Sequence, residues 1–260
     1  MRIARFAGDD DPRFGVIGDD NGVPTIAVLN GDPLYAGLNL SGQKIPLADV
    51  RLLAPVIPRS KVIGVGKNYA KHAAEMGGEV PAEPLIFLKP NTSVIGPGEP
   101  IFYPEQSNNI SFEAELAVVI GRICRDVPVE DAAKVIFGYT VANDVTARDL
   151  QAKDGQWARA KGYDTFCPLG PWIETDFDPS DVGVSSRLNG DIKQDGRTSD
   201  MVFKVADIIA YVSSFMTLLP GDVILTGTPD GVGPMQVGDQ VSVSVEGIGT
   251  LTNTVVSRND

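Results

Sequence analysis

Phe112-Glu113-Ala114-Glu115-Leu116-Ala117-Val118-Val119-Ile120 holds both the clearest strand pattern and the most suggestive chemistry of the chain. Phe112, Ala114, Leu116, Val118 and Ile120 recur with period two, as one face of a β-strand does. Glu113 and Glu115 then share the opposite face. Strand residues two apart are separated by roughly 6.5 to 7 Å along the backbone, so two glutamate side chains can converge on one point between them. Left unpaired, the two charges repel and one carboxyl tends to keep its proton. A hard divalent cation accepts both as oxygen ligands. Spacing alone fits equally a solvent-facing strand whose glutamates stay hydrated.

Beyond this stretch, the apolar run 137–143 ends at Asp144, just before the polar Thr146-Ala147-Arg148-Asp149. Strand ends are where functional groups concentrate, which makes Asp144 the third candidate ligand. Three carboxylates with no nearby His or Cys favour Mg2+, or Mn2+ as its close substitute, over Zn2+. Further β-type runs cover 62–65, 85–88, 223–226 and 240–245, separated by turns such as Pro220-Gly221-Asp222 and Val237-Gly238-Asp239. Helical patterns cover 69–76, which ends at Gly77-Gly78, and 129–135, 148–151 and 203–218. In the last of these, Phe203, Ala206, Ile209, Ala210 and Phe215 form the expected core face.

Residues 1–55 alternate short apolar runs (3–6, 13–17 and 25–29) with glycine and Asn-Gly turns, predicting a small β-rich amino-terminal domain. Ala54-Pro55-Val56-Ile57-Pro58 stiffens the passage into a second unit, 56–260, because each proline fixes its φ and restrains the residue before it. The expected fold class is α+β with a large, curved, mostly antiparallel β core.

The 260 residues are 43% hydrophobic, which argues against disorder. A net charge of −12 without a Lys/Arg-rich run disfavours nucleic acid as a partner. It leaves room for a small anionic substrate, because a bound divalent cation can dominate the field of its own pocket. Cys124 and Cys167 stand far apart and support neither a zinc ribbon nor a disulfide framework. Residues 1–10 lack a long apolar core and turn acidic at Asp9 and Asp10, so no secretory signal is read there and a cytoplasmic location is expected. The most apolar long stretch, 202–219, is interrupted by Lys204 and Asp207 and is not expected to span a bilayer.

Four motifs occur in order: Gly64-Val65-Gly66-Lys67-Asn68-Tyr69, Phe112-Glu113-Ala114-Glu115-Leu116, Asn143-Asp144-Val145-Thr146-Ala147-Arg148-Asp149 and Thr226-Gly227-Thr228-Pro229-Asp230-Gly231-Val232-Gly233-Pro234. Together they resemble the fumarylacetoacetate hydrolase (FAH) superfamily over about residues 60–256, and the leader resembles the small amino-terminal domain of many bacterial members. The resemblance implies a mixed β-sandwich roll, often a homodimer, with Mg2+ on the carboxylates that match Glu113, Glu115 and Asp144. It also implies action on 2-oxo acids and their enols.

His72, the single histidine, and Glu75 share one face of the short predicted helix, where a carboxylate can orient an imidazole acting as general base. In the resemblance they match a lid pair that activates water, with Gly77-Gly78 as a hinge. Lys161 matches a family lysine near the metal that stabilises an enolate or binds a carboxylate. Arg148 fits ion pairing at the same site, and Gln151 a hydrogen bond to substrate. Thr226, Gly227 and Thr228 could offer N–H and hydroxyl groups to a substrate carboxylate. Lys89 and Ser93 follow a strand and are weaker candidates for the pocket lining.

Two other signals fail. Lys67 is followed by Asn68 rather than Ser or Thr, so the glycines before it make no phosphate loop. No serine sits in a nucleophile elbow. The leading expectation is Mg2+-dependent cleavage of a C–C bond next to a 2-oxo acid through an enolate, as in acylpyruvate hydrolysis or oxaloacetate decarboxylation. The alternative is an isomerase or decarboxylase of the 2-hydroxyhepta-2,4-diene-1,7-dioate or 5-carboxymethyl-2-hydroxymuconate type. A third, from another class, is a non-catalytic metal-stabilised binding protein.

Overall fold

Period-two alternation buries one face of a strand, yet in the computed structural model Ala114–Ile120 is buried on both. Leu116, Val118 and Ile120 join the main core with Ile208, Ile209 and Val212, while Ala117 and Val119 pack on the other side with Ile3, Val62, Ala142 and Val223. The glutamate face is therefore interior, and a hydrated, solvent-facing strand does not apply. The structure describes residues 1–8 and 11–258; Asp9 and Asp10, the acidic end of the amino-terminal stretch, lie outside the described residues.

Ala114–Ile120 pairs antiparallel with Ile136–Asn143 on one side and Val223–Leu225 on the other. Past Ile136–Asn143 the sheet continues through Cys167–Glu174 to the amino-terminal strands Arg2–Phe6, Arg13–Asp20, Val23–Leu29 and Leu40–Pro46. In the opposite direction Val62–Gly66 pairs parallel with Val223–Leu225, and Leu85–Lys89 follows. The leader strands are thus hydrogen-bonded into the same sheet as the glutamate strand. A second sheet runs in the order Asp191–Arg197, Gly183–Leu188, Gln240–Val245, Gly249–Ser257, Ile101–Tyr103. Its Val184, Val241, Val243 and Leu251 share the main core with Leu116 and Val118, which makes the α+β sandwich expected from the sequence.

Two helical expectations need correction. Val129–Val135 is a 3-10 helix. The helix expected over 203–218 is Val205–Phe215, started by Asp207, whose carboxylate accepts the Lys204 N–H at 3.0 Å. Val205, Ile208, Ile209 and Val212 form the buried stripe of this helix. Ala206 and Ala210 fall on its flank, and Phe215, at the stripe edge in the last turn, stays 47% exposed against Tyr211. Among the described residues no helix is long and apolar enough to cross a membrane.

Gly64 and Gly66 lie on one face of Val62–Gly66. A Cβ at Gly64 would stand 2.1 Å from the Phe87 ring, and one at Gly66 2.6 Å from the Trp157 ring. These rings pack edge-on with centroids 5.5 Å apart. The glycines of the first motif thus make room for an aromatic pair. Gly64→Ala is expected to overpack this contact and cost roughly 1–3 kcal/mol in urea unfolding. An unchanged midpoint would show that Phe87 moves freely.

Candidate active site

The strand preceding the glutamates, Ile110–Phe112, ends one residue before Ala114–Ile120, so Glu113 stands in a break between two strands. Asn143 bridges the break: its Oδ1 accepts the Glu113 N–H at 2.9 Å, while Asp144 N–H donates to the Glu113 carbonyl at 3.0 Å. These bonds fix Glu113 beside Asp144. Glu113, Glu115 and Asp144 are all buried and bring carboxylate oxygens within 4.8 Å of one another.

Cations surround two of the three. Lys161 Nζ donates to Glu113 Oε2 at 2.8 Å and to Asp144 Oδ2 at 2.6 Å. Arg148 Nη2 donates to Glu113 Oε1 at 2.5 Å, and its Nη1 to Gln151 Oε1 at 3.0 Å. Lys89, a weak candidate for the pocket lining from sequence, is instead 1% exposed beside the cluster and donates to Asp144 Oδ1 at 2.5 Å and to the Val145 carbonyl at 3.2 Å. Glu115 differs. Its Oε2 accepts the Gly227 N–H at 2.6 Å, and among the described residues no cationic side chain lies within ion-pair distance of it.

The acid strengths follow. Burial would push Glu113 up, but Lys161 and Arg148 outweigh it and hold the carboxyl well below the usual range. Burial, then the charges of Asp144 and Glu113, push Glu115 well above it. Burial would lower Lys161, and Asp144 and Glu113 reverse this to keep it a firm ammonium. An all-oxygen donor set with one carboxylate short of a positive partner fits a hard divalent cation.

The cluster opens on a cavity of about 250 Å³ lined by Glu113, Glu115, Arg148, Gln151 and Lys161, with Phe87 and Trp157 on its apolar wall. His72, on the helix Ala70–Glu75, also lines it, with Nδ1 3.2 Å from Glu75 Oε2. The Glu75 carboxylate accepts the Gly231 N–H as well, at 3.1 Å. Gly77, at φ +71°, ends the helix, and the N–H groups of Gly77 and Gly78 return to the carbonyls of Ala74 and Ala73.

The Thr226–Thr228 stretch divides its work. The Thr226 N–H and hydroxyl both donate to the Leu116 carbonyl, and the residue is fully buried. Gly227 holds Glu115. Thr228 lines the cavity; its hydroxyl donates to the Ala114 carbonyl and accepts from Gln194 Nε2 at 2.7 Å. Gln194, which has no local sequence signal, also accepts the Ala114 N–H at 2.9 Å and so braces the glutamate strand from the second sheet. A lysine closing the apolar run 85–89 was the available signal for Lys89.

The profile of the fumarylacetoacetate (FAA) hydrolase C-terminal domain matches residues 61–256. The chain belongs to the FAH family. An Rv2993c-like N-terminal profile matches residues 1–55 of this FAH-family chain. Protein Rv2993c of Mycobacterium tuberculosis is 54% identical over 263 residues, 99% of each chain. The mitochondrial oxaloacetate tautomerase Fahd2a of Rattus norvegicus is 45% identical over 223 residues, 82% of this chain and 71% of that one. Among FAH structures, that of 5-carboxymethyl-2-hydroxymuconate delta-isomerase from Mycobacterium smegmatis is similar at TM-score 0.92 and 54% identity, covering 99% of this chain and 100% of that one.

Proposed function

We propose that this FAH-family chain is a divalent-metal-dependent enzyme that moves a proton at the carbon beside a 2-oxo group, interconverting keto and enol forms of a small 2-oxo acid. The observation behind this reading is Glu115: a buried carboxylate beside two others, without a cationic partner among the described residues, at the wall of a cavity also lined by Lys161 and His72. Glu113, Glu115 and Asp144 would hold the ion, and Mg2+ or Mn2+, when bound, supplies Lewis acidity toward the 2-oxo group.

The protein's own groups do the rest. The Glu75 carboxylate is the acceptor beside His72 Nδ1, which leaves Nε2 to take or return a proton. Gln151 Oε1 is occupied by Arg148, which leaves its amide N–H groups to donate to a substrate carboxylate. Lys161, itself buried, places fixed positive charge where an enolate oxygen develops. The tautomerase and isomerase names of the similar proteins support proton transfer over bond cleavage.

Cleavage of the C–C bond next to the 2-oxo group, the leading expectation from the sequence, takes second place for that reason. The His72–Glu75 pair favours it, since a carboxylate-oriented imidazole at a cavity wall suits activation of water. The test follows loss of enol absorbance on ketonisation of oxaloacetate, and pyruvate release from oxaloacetate and acetylpyruvate, with Mg2+ and with chelator. Metal-dependent ketonisation without pyruvate supports the proton-transfer reading; metal-dependent pyruvate release replaces it with the second. Silence in all assays would leave a metal-binding protein without this chemistry. His72→Asn is expected to lower turnover about 10²- to 10⁴-fold while Mn2+ affinity stays within twofold. Turnover equal to that of the parent would remove His72 from the mechanism.

A further inference from the structure

Lys67 sits between the strand Val62–Gly66 and the helix Ala70–Glu75 with φ +56°, in the left-handed region that side chains other than Asn and Asp seldom enter. Asn and Asp occupy three of the other four such non-glycine positions among the described residues. What holds Lys67 there is its neighbour. Asn68 Nδ2 donates to the carbonyls of Thr226 at 2.7 Å and Phe203 at 3.0 Å, and Asn68 Oδ1 accepts the Phe203 N–H at 2.8 Å. An unfavourable backbone conformation enforced by buried bonds on the adjacent residue indicates that something is gained from where the side chain goes.

The half-buried Lys67 lines the same cavity as Glu113 and Glu115. Its ammonium lies against the turn that follows the His72 helix: a Cβ on Gly78 would stand 2.6 Å from Lys67 Nζ. The other cations around the cluster are committed, Lys161 to Glu113 and Asp144, Arg148 to Glu113, and Lys89 to Asp144. Among the described residues Lys67 Nζ makes neither an ion pair nor a hydrogen bond, although the chain carries a net charge of −12. An ammonium without an anionic partner among the described residues, on a residue of the cavity wall, is suited to an anion that arrives with the ligand.

We infer that Lys67 binds a second carboxylate of the substrate, so that the site selects 2-oxo dicarboxylic acids over 2-oxo monocarboxylic acids. The inference rests on the proposed chemistry for the substrate's reacting end, held at Glu113, Glu115 and Asp144. Lys67 receives the distal end. It is a specificity residue and takes no part in the proton transfer.

The test measures calorimetric affinity of the full chain with Mn2+ for 2-oxoglutarate and for 2-oxopentanoate, which differ in the distal carboxylate, alongside KM for oxaloacetate. Lys67→Met is expected to lower the dicarboxylate-to-monocarboxylate affinity ratio at least tenfold, and Lys67→Arg to restore most of it. Lys71→Met, at an exposed position outside the cavity lining, controls for loss of general positive charge. A ratio unchanged in Lys67→Met, or lowered equally in Lys71→Met, overturns the inference, as does a parent that binds neither acid. Lys67-dependent binding without turnover would sustain it and count against the proposed reaction instead.

Discussion

Glu115→Gln is expected to lose metal-dependent turnover by about 10³-fold or more and to bind Mn2+ at least ~100-fold more weakly than the parent, while folding as the parent does. Lewis-acid stabilisation supplies several kcal/mol, and each 1.36 kcal/mol is about tenfold in rate. The substitution removes the one carboxylate of the cluster that, among the described residues, no side-chain cation pairs with. The fold should tolerate it because the contact made by Glu115 in the structure survives: an amide oxygen accepts the Gly227 N–H as a carboxylate oxygen does. Metal-free melting temperatures within about 2 °C of each other, worth roughly 1 kcal/mol or less, would establish that. Calorimetric Mn2+ titration and turnover at saturating substrate then read the site alone. Parent-like Mn2+ affinity in this variant would place the ion elsewhere and undo the proposed centre.

Lys161→Met should behave in the opposite way, failing in stability as well as activity. Its ammonium is 2% exposed and holds Glu113 and Asp144 together across 48 and 17 residues of sequence. Deleting one partner of a buried ionic cluster typically costs ~3–5 kcal/mol, because the remaining charges stay buried without compensation. For a chain of this size that is a fall on the order of 10 °C in melting temperature. Saturating Mn2+ should return much of the loss, since an ion at the same carboxylates restores the missing charge. Turnover should remain down by about 10²- to 10³-fold even with the metal bound, the usual effect of losing a preorganised electrostatic donor. If metal rescued activity along with stability, Lys161 would be a structural counter-ion only.

These two residues also mark what could be read from the chain before its structure was known. Period two over 112–120 identified the strand Ala114–Ile120 and set the two glutamates side by side, although Glu113 falls in the break before that strand, and the end of the run 137–143 identified Asp144. Such features follow from local backbone geometry, so a few consecutive residues suffice to read them. The partition of the cluster was not legible. That Lys161, Arg148 and Lys89 neutralise Glu113 and Asp144 and leave Glu115 to a backbone N–H depends on contacts between residues 17 to 112 positions apart. The Thr226 hydroxyl, open to a substrate on sequence grounds, is spent on the Leu116 carbonyl once two strands meet. Phe215 looked like core and is half exposed, because in the last turn it falls at the edge of the stripe of Val205, Ile208, Ile209 and Val212 that packs inward.

The amino-acid sequence by itself determined the β-rich α+β class, the carboxylate trio and the His72–Glu75 pair, all of which rest on short-range periodicity and motif order. Only the tertiary structure decided which carboxylate lacks a counter-charge among the described residues, that Lys89 is buried against Asp144, and that Lys67 in the cavity wall has no ion-pair partner among them. Charge compensation is a property of distances in space, and distances of a few ångströms between residues far apart in the chain exist only after the sheets have packed.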